Sequence, residues 1–339
     1  VPPRIPPISK DSLGADPPIT RIPPGYFGAA LGLSGLAGVW LFAATSIGVS
    51  PAVGDAIALL AGGVWCALAV GYLRQGARQV LADFRDTADG SMLAAPIMSA
   101  LVLGSVLSAH ARTAGHVVVI VSLIVGALLC GLLIGQWMTG GMDEDRLGPA
   151  LYLPGGGIGF VGSEAAYAIG LHGVAALFFG IGVFTWVFAS SIVLSRLQYR
   201  PRLSAALTPT MAIELAPAAV AGSAYFLLHP GRPDLLAYGI AGYAVMMVVA
   251  QVRLLPLYRA AGFTAGYWSF TFPWAAMATL ALRWLALEHP PGERAYAWVV
   301  IALTTILVIA VAARTVVDIA AGRSHYPTLR GSHAVTRDA

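Results

Sequence analysis

Tyr267-Trp-Ser-Phe-Thr-Phe-Pro-Trp-Ala-Ala-Met-Ala278 sets a proline in the middle of a hydrophobic stretch running from about 263 to 287. Proline lacks an N–H and clashes with the carbonyl four residues back, so Pro273 is expected to free the Ser269 carbonyl and kink the helix. In lipid such a break survives only where it is buried in protein or lines a cavity. A bulky ring, Phe272, immediately precedes it, which makes this position a candidate gate. The plain alternative is an aromatic packed in the core.

The same device recurs along the chain. Pro96, Pro154 and Pro217 each sit in an apolar stretch, and Pro24 opens the first one, with successive gaps of 72, 58, 63 and 56 residues. That spacing is about one helical hairpin, so five hairpins are expected, each with one proline-bearing helix. Pro24 is the weakest member, because proline at a helix start is ordinary. Runs long enough to span a bilayer, roughly 20 residues each, lie near 25–46, 52–73, 92–109, 114–138, 149–170, 173–196, 206–228, 234–256, 263–287 and 295–320. The expectation is an all-α membrane protein of ten transmembrane helices. Arg74, Arg78 and Arg85 suggest that the second helix continues past the membrane surface.

Composition agrees. Of 339 residues, 58% are hydrophobic and 11% charged, against about 25% charged in soluble domains. The net charge of +4 lies in short loops without a basic stripe and interleaved aromatics, so no nucleic-acid partner is expected. Residues 1–23 are Pro-rich with scattered charges and read as a disordered tail. They lack the apolar core of a signal peptide, and the missing initiator Met suggests a trimmed or absent start. Cys66 and Cys130 have no CxxC neighbour and read as packing residues.

Charge sets topology. Sorting the 20 Lys and Arg residues by side places sixteen with the two tails and the even-to-odd connections, and four (Arg112, Arg232, Arg283 and Arg294) opposite. The positive-inside rule makes both termini cytoplasmic and the helix count even. The five odd helices then run parallel, from the cytoplasm outward. They are rich in small residues, as in Gly25-Tyr-Phe-Gly-Ala-Ala-Leu-Gly-Leu-Ser-Gly35, whereas even helices such as Val117–Val125 are bulkier. Small residues permit close helix approach or leave room along a pore, so an inner ring of five and an outer ring of five are expected.

Gly157-Ile-Gly-Phe-Val-Gly162 matches a dinucleotide fingerprint in letters, but it lies mid-membrane and no acidic residue occurs between Glu164 and Glu214. Helix packing or pore lining explains it better. The seven histidines show no i, i+4 pair and no metal-ligand spacing, and no nucleophile elbow or HExxH occurs. Neither an enzyme, nor a cofactor, nor a metal site is expected. Two acids lie within spans. Glu164 is about 15 residues into the fifth segment, in its outer half, and reads either as a group reaching toward water or as a pore polar site. Glu214 is about 8 residues into the seventh, near the depth of Phe272, and is a possible proton site.

Pro24-Gly-Tyr-Phe-Gly28 with Leu31-Gly-Leu33 and Trp40, Ala95-Pro-Ile97, Tyr152-Leu-Pro154, Leu215-Ala-Pro217 with Ser223-Ala-Tyr225, and Trp268-Ser-Phe-Thr-Phe-Pro273 occur in that order over about 25 to 287. In this set the chain resembles the tellurite-resistance/dicarboxylate transporter family of bacterial TehA proteins, fungal malate permeases and plant slow anion channels. The resemblance implies a quasi-fivefold arrangement of five hairpins around a central pore. It also implies a homotrimer with one pore per protomer, and a ninth-helix phenylalanine as plug, here Phe272. Glu214 departs from the channel members, where that position looks apolar; a fixed negative charge there would oppose an anion, while a protonated carboxyl could donate to one.

The expected function is a gated passive anion channel of the bacterial inner membrane, passing chloride or nitrate through a pore kinked at Pro96, Pro154, Pro217 and Pro273. The alternative is a proton-coupled C4-dicarboxylate (malate) transporter that uses Glu214. A third reading, a membrane scaffold whose pore stays shut, would use the Pro-rich tail as a partner ligand. The expected division is a tail over 1–23, a ten-helix channel domain over 24–322 and a cytoplasmic C-terminal tail over 323–339.

Overall fold

The computed structural model describes residues 21–140 and 142–321; most of the expected N-terminal tail and all of the C-terminal tail lie outside them. Among the described residues the chain is helical and contains no strand. Its α-helices are α1 (Gly28–Ser46), α2 (Ala52–Leu73), α3 (Ala77–Arg85), α4 (Thr87–Met92), α5 (Ala94–His110), α6 (Arg112–Met138), α7 (Ile158–Ala168), α8 (His172–Tyr199), α9 (Ala216–Leu228), α10 (Leu235–Ala261), α11 (Trp268–Glu288) and α12 (Glu293–Ala320).

Nine helical segments among the described residues are long and apolar enough to cross a membrane. The remaining expected span, 149–170, is interrupted: a 3-10 turn over Pro149–Leu151 and a π turn over Leu153–Gly157 precede α7, which has 11 residues. Pro154 withholds an N–H just where Gly155, Gly156 and Gly157 leave the backbone free to rewind, so the ladder shifts register instead of continuing as α. Pro217 has a comparable setting. It lies in the first turn of α9, directly after the 3-10 segment Thr208–Leu215. Pro96 falls in the first turn of α5, and its carbonyl accepts a hydrogen bond from Trp65 Nε1 at 2.9 Å. Only Pro273 sits well inside an α-helix among these four, and α11 runs through it without interruption. Pro256 is a further in-helix proline, because α10 extends to Ala261, beyond the expected limit of 256.

Helix contacts follow a cycle. α1 packs on α5, α5 on α7, α7 on α9, α9 on α11 and α11 on α1; α2, α6, α8, α10 and α12 each pack on the helix that precedes them in that cycle. Most of Thr208–Leu228 is buried, whereas most of α2 is not. Leu128 and Ile124 of α6 and Phe184 and Phe188 of α8 are exposed, which suits contact with lipid, where apolar side chains have no water to avoid.

Close approach sets the tightest contacts. A Cβ on Gly32 of α1 would lie 1.8 Å from Thr271 Oγ1 of α11, and one on Gly159 of α7 would lie 2.4 Å from the Gly182 nitrogen of α8. The glycines of the fingerprint-like stretch are therefore packing positions. Gly162 completes the set, with the Phe178 ring 2.6 Å from its would-be Cβ.

The second helix does not continue past Leu73 as its arginines suggested. The chain breaks at Gly76, whose φ of 84° lies in the left-handed region that glycine tolerates. The turn lets α3 fold back so that the buried carboxylate of Asp83 accepts from Tyr72 Oη at 2.9 Å and Gln79 Nε2 at 2.7 Å and pairs with Arg21. Gln75 holds Ile22 by both its N–H and its carbonyl, at 2.9 and 2.8 Å. Of the two cysteines, Cys130 is packed as expected, while Cys66 is exposed on α2.

Candidate functional site

Phe272 reaches its position because α11 is fastened to α12 and packs closely on α1. Trp268 Nε1 donates to Thr315 Oγ1 of α12 at 3.1 Å, and Thr271 tucks its hydroxyl back onto the Trp268 carbonyl at 2.7 Å in the space left by Gly32. On the next turn, Gly35 of α1 lets the Phe272 ring approach to 3.0 Å of its would-be Cβ. The ring is thereby turned inward and is buried.

Two cavities meet at that ring. One is a vestibule of about 720 Å³ lined by small and hydroxyl-bearing residues of α1, α5, α9 and α11, with Gly38, Ser105, Val220, Ala276 and Thr279 among them. The other, of about 10 Å³, lies among Met98, Leu153, Phe160, Ile213, Pro217 and Val220. Phe272 lines both. The smaller cavity has room for at most one water molecule, so the space is closed on that side of the ring. Pro217 lines the smaller cavity, as does Pro154's neighbour Leu153; Pro96 and Pro273 line neither.

Glu214 lies beside this closed region but not on it. It is buried in the 3-10 segment, accepts from Tyr152 Oη at 2.9 Å, and lines neither cavity, although its neighbour Ile213 and its partner Tyr152 line the smaller one. Behind it, Gln251 of α10 donates to the Met211 carbonyl at 3.0 Å and accepts from Tyr258 Oη at 2.6 Å. The first bond satisfies a backbone carbonyl of the 3-10 segment, and the second orients the Gln251 amide that makes it.

Glu164 faces the vestibule instead, and so does Arg283 of α11, which sequence reasoning used only as a topology marker. The Arg283 guanidinium carbon sits 4.8 Å from the centre of the Phe42 ring. At the mouth, Asp55 of α2 and His110 of α5 meet at 2.9 Å. A signal for Arg283 existed: it is a cation inside a hydrophobic span, a rarity that marks function by default. Among the described residues no group of three or more His, Cys, Asp or Glu converges where a metal ion could be held.

The family described as SLAC1, voltage-dependent anion channel, matches residues 21–316. The chain is 28% identical over 264 residues to a tellurite resistance protein TehA homologue of Haemophilus influenzae, covering 77% of this chain and 80% of the relative. It is 28% identical over 200 residues to the S-type anion channel SLAH2 of Arabidopsis thaliana, covering 57% of this chain and 37% of that relative. The family match takes in α1 to α11 whole and most of α12, and the chain belongs to the SLAC1/TehA family of membrane anion channels and transporters.

Proposed function

We propose that this protein is a gated passive channel for small monovalent anions such as chloride and nitrate, with Phe272 as its plug. The observation that carries the reading is the position of that ring between a vestibule of about 720 Å³ and a cavity of about 10 Å³. An apolar constriction of this kind blocks ions by excluding water and opens when the ring swings aside. The pore walls supply hydroxyl and backbone dipoles and, at the level of the plug, no basic ring, so binding there is weak and several anions can pass.

In this reading the cycle α1, α5, α7, α9, α11 forms the pore wall in quasi-fivefold order, and the interrupted stretch Pro149–Ala168 counts as the tenth span. Residues 24–322 form the conducting unit, and it works as a homotrimer in the bacterial inner membrane. The sixteen-to-four distribution of Lys and Arg puts both termini in the cytoplasm, so the vestibule opens outward. Conduction has no chemical step and requires no cofactor.

The test is anion-driven flux in liposomes, comparing the parent protein with Phe272→Ala for chloride, nitrate and malate. A gain of flux that is insensitive to pH supports the plug. No gain at all, with the variant folded, removes it. Proton-coupled malate uptake that disappears in Glu214→Gln would favour the carrier, a reading weakened by the absence of Glu214 from both cavity walls.

A further inference from the structure

Three buried polar atoms without partners belong to residues that line the vestibule. Arg283 Nε, Glu164 Oε1 and Ser223 Oγ are each buried and make no hydrogen bond, and all three residues line the same cavity. Buried polar groups are nearly always bonded, so three orphans facing one space mark a place that a ligand completes. Their positions are ordered along the path. Val220 and Phe160 stand at the level of the plug, Ser223 and Glu164 follow them by three and four residues, about one helical turn, and Arg283 follows Phe272 by eleven, about three turns.

We propose that Arg283 and Ser223 form a weak binding site for a planar monovalent oxyanion, nitrate or a small carboxylate, with Glu164 as the counter-charge that keeps it weak. Phe42 supports the face of the guanidinium at 4.8 Å, which holds the plane by a cation–π contact and leaves its edges available. Nε and the neighbouring Nη form one edge of the Arg fork, a geometry that matches two oxygens of a planar anion. Ser223 supplies a hydroxyl donor from α9, the helix that packs beside α11. Glu164 lines the same cavity as Arg283, and its Oε1 has no hydrogen-bond partner. A lone buried cation would hold an anion too tightly for conduction; an opposing carboxylate lowers the affinity so that the ion leaves again. Asp55 and His110 pair with each other at the mouth and leave the inner charges to the ligand.

This inference rests on the channel reading for its purpose but not for its test. The full chain in detergent is titrated with sodium nitrate and sodium chloride at constant ionic strength, and the thermal midpoint is followed. Nitrate is expected to raise the midpoint saturably, and at lower concentration than chloride. Arg283→Gln should weaken the nitrate response about tenfold or more, as loss of a charge-assisted bidentate contact does. Arg283→Lys should keep a response to both anions while losing the preference for nitrate, which guards against a glutamine variant that fails to fold. Ser223→Ala should weaken nitrate binding less than Arg283→Gln, and Glu164→Gln should strengthen it. The proposal is overturned if the parent gives no saturable nitrate shift, or if Arg283→Gln or Arg283→Lys responds as the parent does. Saturable nitrate binding in a protein whose Phe272→Ala variant passes no anion would keep the site and remove the channel.

Discussion

On one side of the Phe272 ring the helices enclose about 720 Å³, and on the other about 10 Å³. α5, α7, α9 and α11 contribute to both sides, while α1 lines only the larger one. The open side is lined by small residues whose neighbours stand back: a Cβ on Gly38 would meet nothing within 4 Å. The closed side is where the chain leaves α geometry, at Leu153–Gly157 and Thr208–Leu215, and where Phe160, Met98 and Tyr152 fill the centre. Tyr152, Leu153 and Ile213 come from or beside the rewound backbone, and Phe160 and Met98 meet them from α7 and α5. On the larger side Gly35, Gly38, Ala44, Ala109 and Ala276 leave room between the helices.

The largest effect that would break this contrast is removal of the ring itself. Phe272→Ala joins the two cavities, and anion flux should rise about tenfold for every 1.4 kcal/mol taken off the barrier; liposome flux reads it. Next is the packing of the closed half. Gly159→Val drives a side chain into the α8 backbone at Gly182 and should cost about 1–3 kcal/mol or more, seen as a lower thermal midpoint in detergent. Gly38→Ala, on the open side, should leave that midpoint unchanged, and a comparable loss there would show that the vestibule is as tightly determined as its floor.

A third change sharpens the role of the 3-10 winding. Gln251→Leu strips the buried Met211 carbonyl of its donor, with an expected cost of about 1–3 kcal/mol. Hydrogen exchange should rise over Thr208–Leu215 and not over α11. The smallest effect lies in the loop between α9 and α10. Asp234 accepts from Tyr225 Oη and, as N-cap of α10, from the Ala237 N–H, and these bonds hold its carboxyl below the usual carboxylate range. Its stabilisation is therefore full above the unfolded pKa of about 3.9 and is lost as pH falls through the depressed folded value. Asp234→Asn should flatten the midpoint's dependence on pH below about 4, while flux at neutral pH stays as in the parent.

Much of the helical pattern was legible in advance because lipid imposes it, above all as apolar runs of spanning length. Phe272 could be singled out because Pro273 follows it. What a proline cannot announce is how the backbone answers it. Pro154 yields a π turn with three glycines beside it, Pro217 follows eight residues of 3-10 winding, and Pro273 leaves α11 assigned as α throughout. Those outcomes depend on neighbours distant in sequence, such as Gln251 on Met211. Arg283 escaped notice for a different reason: charge counting treats an arginine as a label for one side of the membrane and ignores where its side chain points. The turn at Gly76 was hidden because its purpose, the Asp83 cluster, joins residues that are unremarkable one at a time.

The eight residues Thr208–Leu215 also have a mechanical meaning. A 3-10 turn rises about 2.0 Å per residue against 1.5 Å for an α-helix, and advances about 120° against 100°. Wound as 3-10, this piece is about 4 Å longer than it would be as α, and its far end is rotated by about 160°. The amide of Gln251 holds the Met211 carbonyl within this winding, so the extra length and rotation that carry Ile213 to the smaller cavity and leave Glu214 off it are fastened from α10.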